Sequence, residues 1–314
     1  MDGMNILAVT NSRFLEPFLV MLDSFLLLHP NKTVRIFLAY EDLTQEEIGK
    51  VGALIKTFSG AGEKVTLVPI YVGDECKKRL PEKNGFPVEV CYRILALELL
   101  PEDVDRVLYL DADMVIKGNL EELYQADLKE NLFAACEDIT GIINGFHEQN
   151  KRRLGIPAEL TYFNSGVILF DVTKMRKTNM PRILIDALYE HTERYEYPDQ
   201  DVLNEKCCSK VILADWEAYN CPPLVYYKKV NPSDGKPAEY ATYEELCAGA
   251  GQADGFFNRY KDVTCEVFQS ASIIHYLGKT KPWLKDREES KAYDIFDAAY
   301  QIFREDLDKR IALP

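Results

Sequence analysis

The sequence predicts an α/β fold: a parallel, doubly wound sheet in one continuous domain, followed by a helical C-terminal extension. Three observations predict it. Short apolar runs alternate with segments whose apolar residues recur at helical spacing. An apolar strand near the middle of the chain ends in two closely spaced carboxylates. The chain has 314 residues, 47% of them apolar and 28% charged, which is ample for one large soluble core.

Taken in order, Asn5 to Val9 reads as a first strand, and Phe14, Phe18, Leu22, Phe25 and Leu28 as the apolar stripe of a helix. Val34 to Ala39 is strand-like. Thr44 and Glu47 form a capping box that opens a helix with Ile48, Val51, Ile55 and Phe58 on one face. Val65 to Ile70 is the next strand, Val88 to Leu100 the next helix, and Arg106 to Leu110 the strand that ends in Asp111-Ala112-Asp113. This βαβαβ order is what argues for a parallel sheet. Beyond it, Phe133 to Cys136 and Gly166 to Phe170 read as strands and Pro181 to His191 as a helix. Cys221 to Lys261 reads as loops and short elements, and Tyr293, Phe296, Tyr300, Phe303 and Leu307 mark a final amphipathic helix.

The formal net charge of −14 disfavours nucleic acid or an anionic membrane as the main partner. An anionic substrate would then need a local cation. The eight cysteines show no Cys-x-x-Cys pair, and several lie in apolar strings, as expected for reduced, buried thiols. Met1-Asp2-Gly3-Met4 lacks the basic start of a secretory signal, and the apolar stretch from Phe18 to Leu28 is too short to span a bilayer. A cytoplasmic location is expected, with no integral membrane segment. A peripheral position on the inner membrane face is the alternative. The last 30 residues, from Lys285, carry more acids than bases, which argues against electrostatic anchoring.

Asp111 and Asp113 sit between hydrophobic runs, where a buried strand carries no charge without a use for it. Two hard oxygen ligands at a strand tip suit a divalent cation and a phosphate. A plain Asp-rich turn is the competing explanation. Four more features share this ambiguity. Tyr162-Phe163-Asn164-Ser165-Gly166 opens an apolar strand and could be a simple turn. Pro198-Asp199-Gln200-Asp201 could merely begin a helix. Ile274-His275-Tyr276-Leu277-Gly278, with Lys281 and Trp283 close behind, reads as a pocket wall in which imidazole suits a borderline metal. Arg93, inside an apolar helix, needs a carboxylate or phosphate partner.

Together, in this order, these motifs resemble the retaining glycosyltransferases of family 8, from Asn5 to about Trp283. The resemblance implies a single Rossmann-like, nucleotide-diphospho-sugar transferase domain of the glycosyltransferase type A fold over residues 4–283, with a helical extension over 284–314. It implies a UDP-hexose donor, galactose or glucose, and a saccharide or lipid-linked saccharide acceptor. Asp111, Asp113 and His275 would be ligands of Mn²⁺ (or Mg²⁺), with Ala112 between them at the donor. Gly278 and Lys281 would contact the diphosphate, and Ala8 and Thr10 the uridine. Arg93, Asp138, Asn164 and Asp199 would bond the donor hexose, and Gln200 would lie beside its anomeric carbon; Asp199 and Gln200 are the catalytic candidates. The first strand departs from the family pattern, reading Thr10-Asn11-Ser12-Arg13-Phe14 where Asp and Asn precede a Tyr. A haloacid-dehalogenase-like phosphatase and a UDP-sugar-binding protein without turnover are the alternatives.

Overall fold

Strand β1 (Gly3–Val9) is buried from Met4 to Ala8 because it lies at the centre of the sheet, with neighbours on both edges. The computed structural model describes residues 3–59, 64–81, 87–223, 271–278, 281–284 and 294–311. The other sheet strands are β2 (Thr33–Tyr40), β3 (Val65–Tyr71), β4 (Arg106–Leu110), β6 (Phe133–Glu137), β7 (Phe163–Asp171) and β8 (Val211–Ala214). They run in the order β3-β2-β1-β4-β7-β6-β8. Outside this sheet, β5 (Met114–Ile116) pairs antiparallel with β9 (Ile273–His275).

The first four strands are parallel, as the βαβαβ pattern requires. The second half departs from the expected all-parallel sheet, because β7 runs antiparallel to both β4 and β6. The reversal has a functional consequence. It carries the beginning of β7, Phe163 to Gly166, to the sheet end where β4 delivers Asp111, and the Asp111 N–H donates to the Gly166 carbonyl at 2.9 Å.

Successive residues of each central strand face opposite sides. Ile6, Ala8, Leu108 and Leu110 enter one core, and Leu7, Val107 and Tyr109 the other. The first core is covered by α1 (Leu15–Leu28) and α2 (Gln45–Phe58). The opposite core is covered by α3 (Tyr92–Leu99), α5 (Met180–Glu190) and α6 (Pro198–Cys207). A shorter helix, α4 (His147–Leu154), precedes β7. The capping box at α2 forms as expected: the Glu47 N–H donates to the Thr44 hydroxyl and the Thr44 N–H to Glu47.

The final helix, α7 (Asp294–Ile311), packs on α1 and α2, with Tyr300 and Leu307 buried. Trp283 lies edge-on to Phe14 and Tyr276 and tilted against Tyr300, tying the segment after β9 to the first core. Among the described residues no helix is long and apolar enough to cross a membrane. Cys91, Cys136, Cys207 and Cys221 are buried thiols, and burial pushes Cys207 up to about 12, so it is inert. The expected loop region from Cys221 to Lys261 lies outside the described residues beyond 223, as do the side chains of Cys76, Cys247 and Cys265.

Candidate functional site

Ligands collect beyond the carboxyl ends of strands in open α/β sheets, and here four strand ends converge there. Strand β1 leads directly into Thr10, β4 into Asp111, and β6 into Asp138, while β7 carries Asn164 and Ser165 just after its start at the same edge. A cleft of about 200 Å³ opens at this edge, lined by Val9, Thr10, Asn11, Phe14, Glu89, Arg93, Tyr109, Asp111, Ala112 and Asp113 among others. Ala8 is wholly buried in the first core and is not part of the lining, so its side chain has no access to the cleft.

Asp111 and Asp113 meet His275, which β9 brings from more than 160 residues downstream. One ligand atom from each lies within 4.8 Å of the others. His275 Nε2 is 3.1 Å from Asp113 Oδ1 and 3.6 Å from Asp111 Oδ2. Two carboxylate oxygens and an imidazole nitrogen form a donor set that fits a divalent cation of borderline hardness. Lys281 pairs with the other oxygen of Asp113 and donates to the Tyr276 carbonyl. Burial pushes Asp113 upward, but Lys281 and His275 outweigh it and hold the carboxyl well below the usual range. Asp111 is raised, by burial first and by the neighbouring Asp113, against the pull of Arg93.

Arg93 connects the motifs. Its guanidinium lies 3.0 Å from Asp111 Oδ1 and 3.1 Å from Asp199 Oδ2, and donates to the Ser165 carbonyl at 2.6 Å. It also stacks over the Tyr109 ring, 4.5 Å from the centroid, and the Tyr109 hydroxyl donates to Asp111. The partner that a buried guanidinium demanded is therefore two carboxylates from different motifs. Ser165 Oγ donates to Asp199 at 2.8 Å, closing the group.

A second chain of hydrogen bonds leads from the cation cluster to Gln200. His275 Nδ1 bonds Asn220 Oδ1 at 2.7 Å, Asn220 Nδ2 donates to Asn164 Oδ1, and Asn164 Nδ2 donates to Gln200 Oε1. Gln200 Nε2 reaches Asp138 Oδ2 at 3.3 Å. Burial raises the Asp138 carboxyl even though it accepts the Gly141 N–H as the cap of a short helix.

Of the sequence-selected residues, Arg93, Asp111, Asp113, Asp138, Asn164, Asp199, Gln200, His275 and Lys281 thus join one polar cluster, and Thr10 and Ala112 line its cleft. Gly278 follows β9 in the left-handed region, at φ 85°, where glycine is the unstrained choice. Sequence reasoning missed Asn220, Tyr109 and the buttress behind Gln200. Asp201 is wholly buried and accepts from Tyr162 (2.6 Å), Arg153 (2.9 Å) and the Tyr197 N–H (2.9 Å). Asn204 clamps the Phe163 backbone through both its N–H and its carbonyl. Within this buttress, Asp201 and its partner Tyr162 stood inside recognised motifs. Asn204, one helical turn beyond Gln200, stands between Leu203 and the charged pair Glu205-Lys206 and carries no such signal.

The model for the family described as Glycosyl transferase family 8 matches residues 5–287. A lipopolysaccharide 1,2-glucosyltransferase of Escherichia coli is 29% identical over 240 residues, covering 76% of this chain and 62% of that protein. A second, from strain K12, is 31% identical over 195 residues, covering 62% of this chain and 48% of that protein. The chain therefore spans about half to two thirds of the length of these curated relatives. A lipopolysaccharide 1,3-galactosyltransferase of Salmonella typhimurium is 27% identical, covering 90% of this chain and 73% of that protein. Among solved structures, the galactosyltransferase LgtC, crystallised with donor and acceptor sugar analogs, superposes with a TM-score of 0.69 at 18% identity. That match covers 99% of this chain and 98% of LgtC, and it shows a shared fold.

Proposed function

The chain belongs to glycosyl transferase family 8, and from that premise we propose that it is a retaining hexosyltransferase that moves galactose or glucose from a UDP-sugar to a saccharide hydroxyl. The lipopolysaccharide-directed relatives make a lipid-linked saccharide the first acceptor to test. The observation that carries the reading is the convergence of Asp111, Asp113 and His275 at the mouth of a cleft beside β1 and β4. Family membership also sets aside the phosphatase alternative.

Five carboxylates (Glu89, Asp111, Asp113, Asp138 and Asp199) lie at this region, with Arg93 and Lys281 as the neighbouring cations. A diphosphate would be repelled from such a site unless a divalent cation offset the charge. We assign that cation to Asp111, Asp113 and His275, as Mn²⁺ or Mg²⁺; when bound, it supplies Lewis-acid stabilisation of negative charge on the departing UDP. Lys281 adds a second positive charge beside Asp113. Arg93, held by Asp111 and Asp199, and the amides of Asn164 and Gln200 offer fixed donors to the donor hexose. The bond between C1 and the UDP oxygen breaks, the acceptor oxygen bonds C1 from the same face, and the acceptor proton passes to the leaving phosphate oxygen. Gln200, an amide that cannot ionise, orients the sugar at that carbon and is assigned no covalent role.

Incubating the protein with UDP-galactose or UDP-glucose, Mn²⁺ and a lipid-linked saccharide should release UDP and extend the acceptor. Asp113→Asn should lower that rate by about a hundredfold or more. Undiminished UDP release by Asp113→Asn would refute the cation assignment, and tight UDP-sugar binding without turnover would refute the transferase.

A further inference from the structure

Taking Asp111, Asp113 and His275 as the cation site, we propose that Asn220 is a positioning residue that fixes His275 Nδ1 as a hydrogen donor and so commits Nε2 to the cation. Two backbone N–H groups, which can only donate, determine every orientation in the chain. The Gly166 N–H lies 2.9 Å from Asn164 Oδ1, so that atom is the carbonyl oxygen. The Ser165 N–H lies 3.1 Å from Gln200 Oε1, so Gln200 accepts there and Asn164 Nδ2 is its second donor. Asn164 Oδ1 being an acceptor, Asn220 must present Nδ2 to it, at 3.0 Å. Asn220 Oδ1 is then left facing His275 Nδ1 at 2.7 Å, and Nδ1 must carry the hydrogen.

Neither partner can swing away. Asn220 is 2% exposed and His275 not at all. The Asn220 N–H donates to Trp216 O, and the adjoining Cys221 exchanges backbone hydrogen bonds with β9 through Ile273 O and the His275 N–H. The ring nitrogen that remains, Nε2, is the one aimed at Asp113 and Asp111. Outer partners of this kind set the tautomer and orientation of a metal-ligating histidine. The same path continues through Asn164 to Gln200, so the cation and the candidate reaction centre share one hydrogen-bonded frame.

Asn220→Leu removes the acceptor, and Asn220→Asp keeps an acceptor for Nδ1 while losing the donor to Asn164. Mn²⁺ affinity, read by electron paramagnetic resonance in the presence of UDP, should fall about 10- to 100-fold in Asn220→Leu and stay at or above the original value in Asn220→Asp. ¹⁵N-histidine NMR of the protein saturated with Mg²⁺ and UDP should show His275 protonated on Nδ1. Its resonance is identified among the four histidines by its loss in His275→Gln. An Nε2–H tautomer in the unmodified protein overturns the proposal alone, and does so even where Asn220→Leu does not fold. Equal loss of affinity in the Leu and Asp variants also overturns it. Failure of the unmodified protein to bind Mn²⁺ with UDP refutes the cation reading and with it this role.

Discussion

A β-carbon on Gly166 would lie 2.3 Å from His275 Cε1 and 2.8 Å from Asp111 Oδ2. The glycine is therefore required by the side chains above it, since the backbone there is ordinary strand. Gly166→Ala should push the imidazole out of the cluster and weaken Mn²⁺ binding by about tenfold or more. The accompanying loss of stability should be an overpacking cost of about 1–3 kcal/mol. Titration with Mn²⁺ alongside thermal denaturation checks both, and unchanged affinity would count against the cluster. Asn204 makes a different point, because its work is done on backbone. Asn204→Ala leaves the buried N–H and carbonyl of Phe163 without their partners, and should cost about 2–4 kcal/mol in denaturant unfolding. Chemistry was legible in the sequence wherever a charge stood among apolar residues, as at Asp111, Arg93 and His275. Asn220 was not legible, because a single amide in a short, unperiodic segment carries no pattern until its neighbours in space are known.

Elements were legible in proportion to their local determinants. The capping box before α2 specifies its own start, and Thr44→Ala should remove about 1 kcal/mol of stability without touching activity. The direction of β7 was not legible: it is buried on both faces from Phe163 to Phe170, so no alternation distinguishes its setting from that of a parallel strand. The final helix was visible as an amphipathic stripe, but its anchor was not. Arg310 of α7 forms a two-pronged pair with Asp23 on α1, at 2.8 and 3.2 Å, and Asp23 is wholly buried. Burial raises the Asp23 carboxyl despite Arg310, so the folded protein holds that proton more tightly than the unfolded chain. Stability from this group is therefore greatest in acid and declines as pH rises through the raised value. Arg310→Ala strands the carboxylate and should cost about 2–3 kcal/mol at neutral pH, at the low end for a broken buried pair because Arg310 is a quarter exposed. The deficit should shrink in mildly acidic buffer as Asp23 takes up a proton. A deficit independent of pH would mean that packing, not charge, is what Arg310 provides.

At the scale of the whole molecule, the candidate site depends on one edge of the sheet gathering residues from distant parts of the chain. Mn²⁺ with UDP should raise the melting temperature by several degrees, through binding to the folded state alone. Asp113→Asn and His275→Gln should abolish that shift in a calorimetric scan. The sequence by itself determined the αβ alternation, the burial of the central strands and the chemical identity of the candidate ligands. Periodicity, capping and the cost of an unpaired buried charge are written into neighbouring residues, so they can be read without knowing the fold. Only the tertiary structure decided that β7 is reversed, that Arg93 serves two motifs, and that Asn220 stands behind His275. Each of these is a contact between segments far apart in the chain, fixed by sheet order and strand direction.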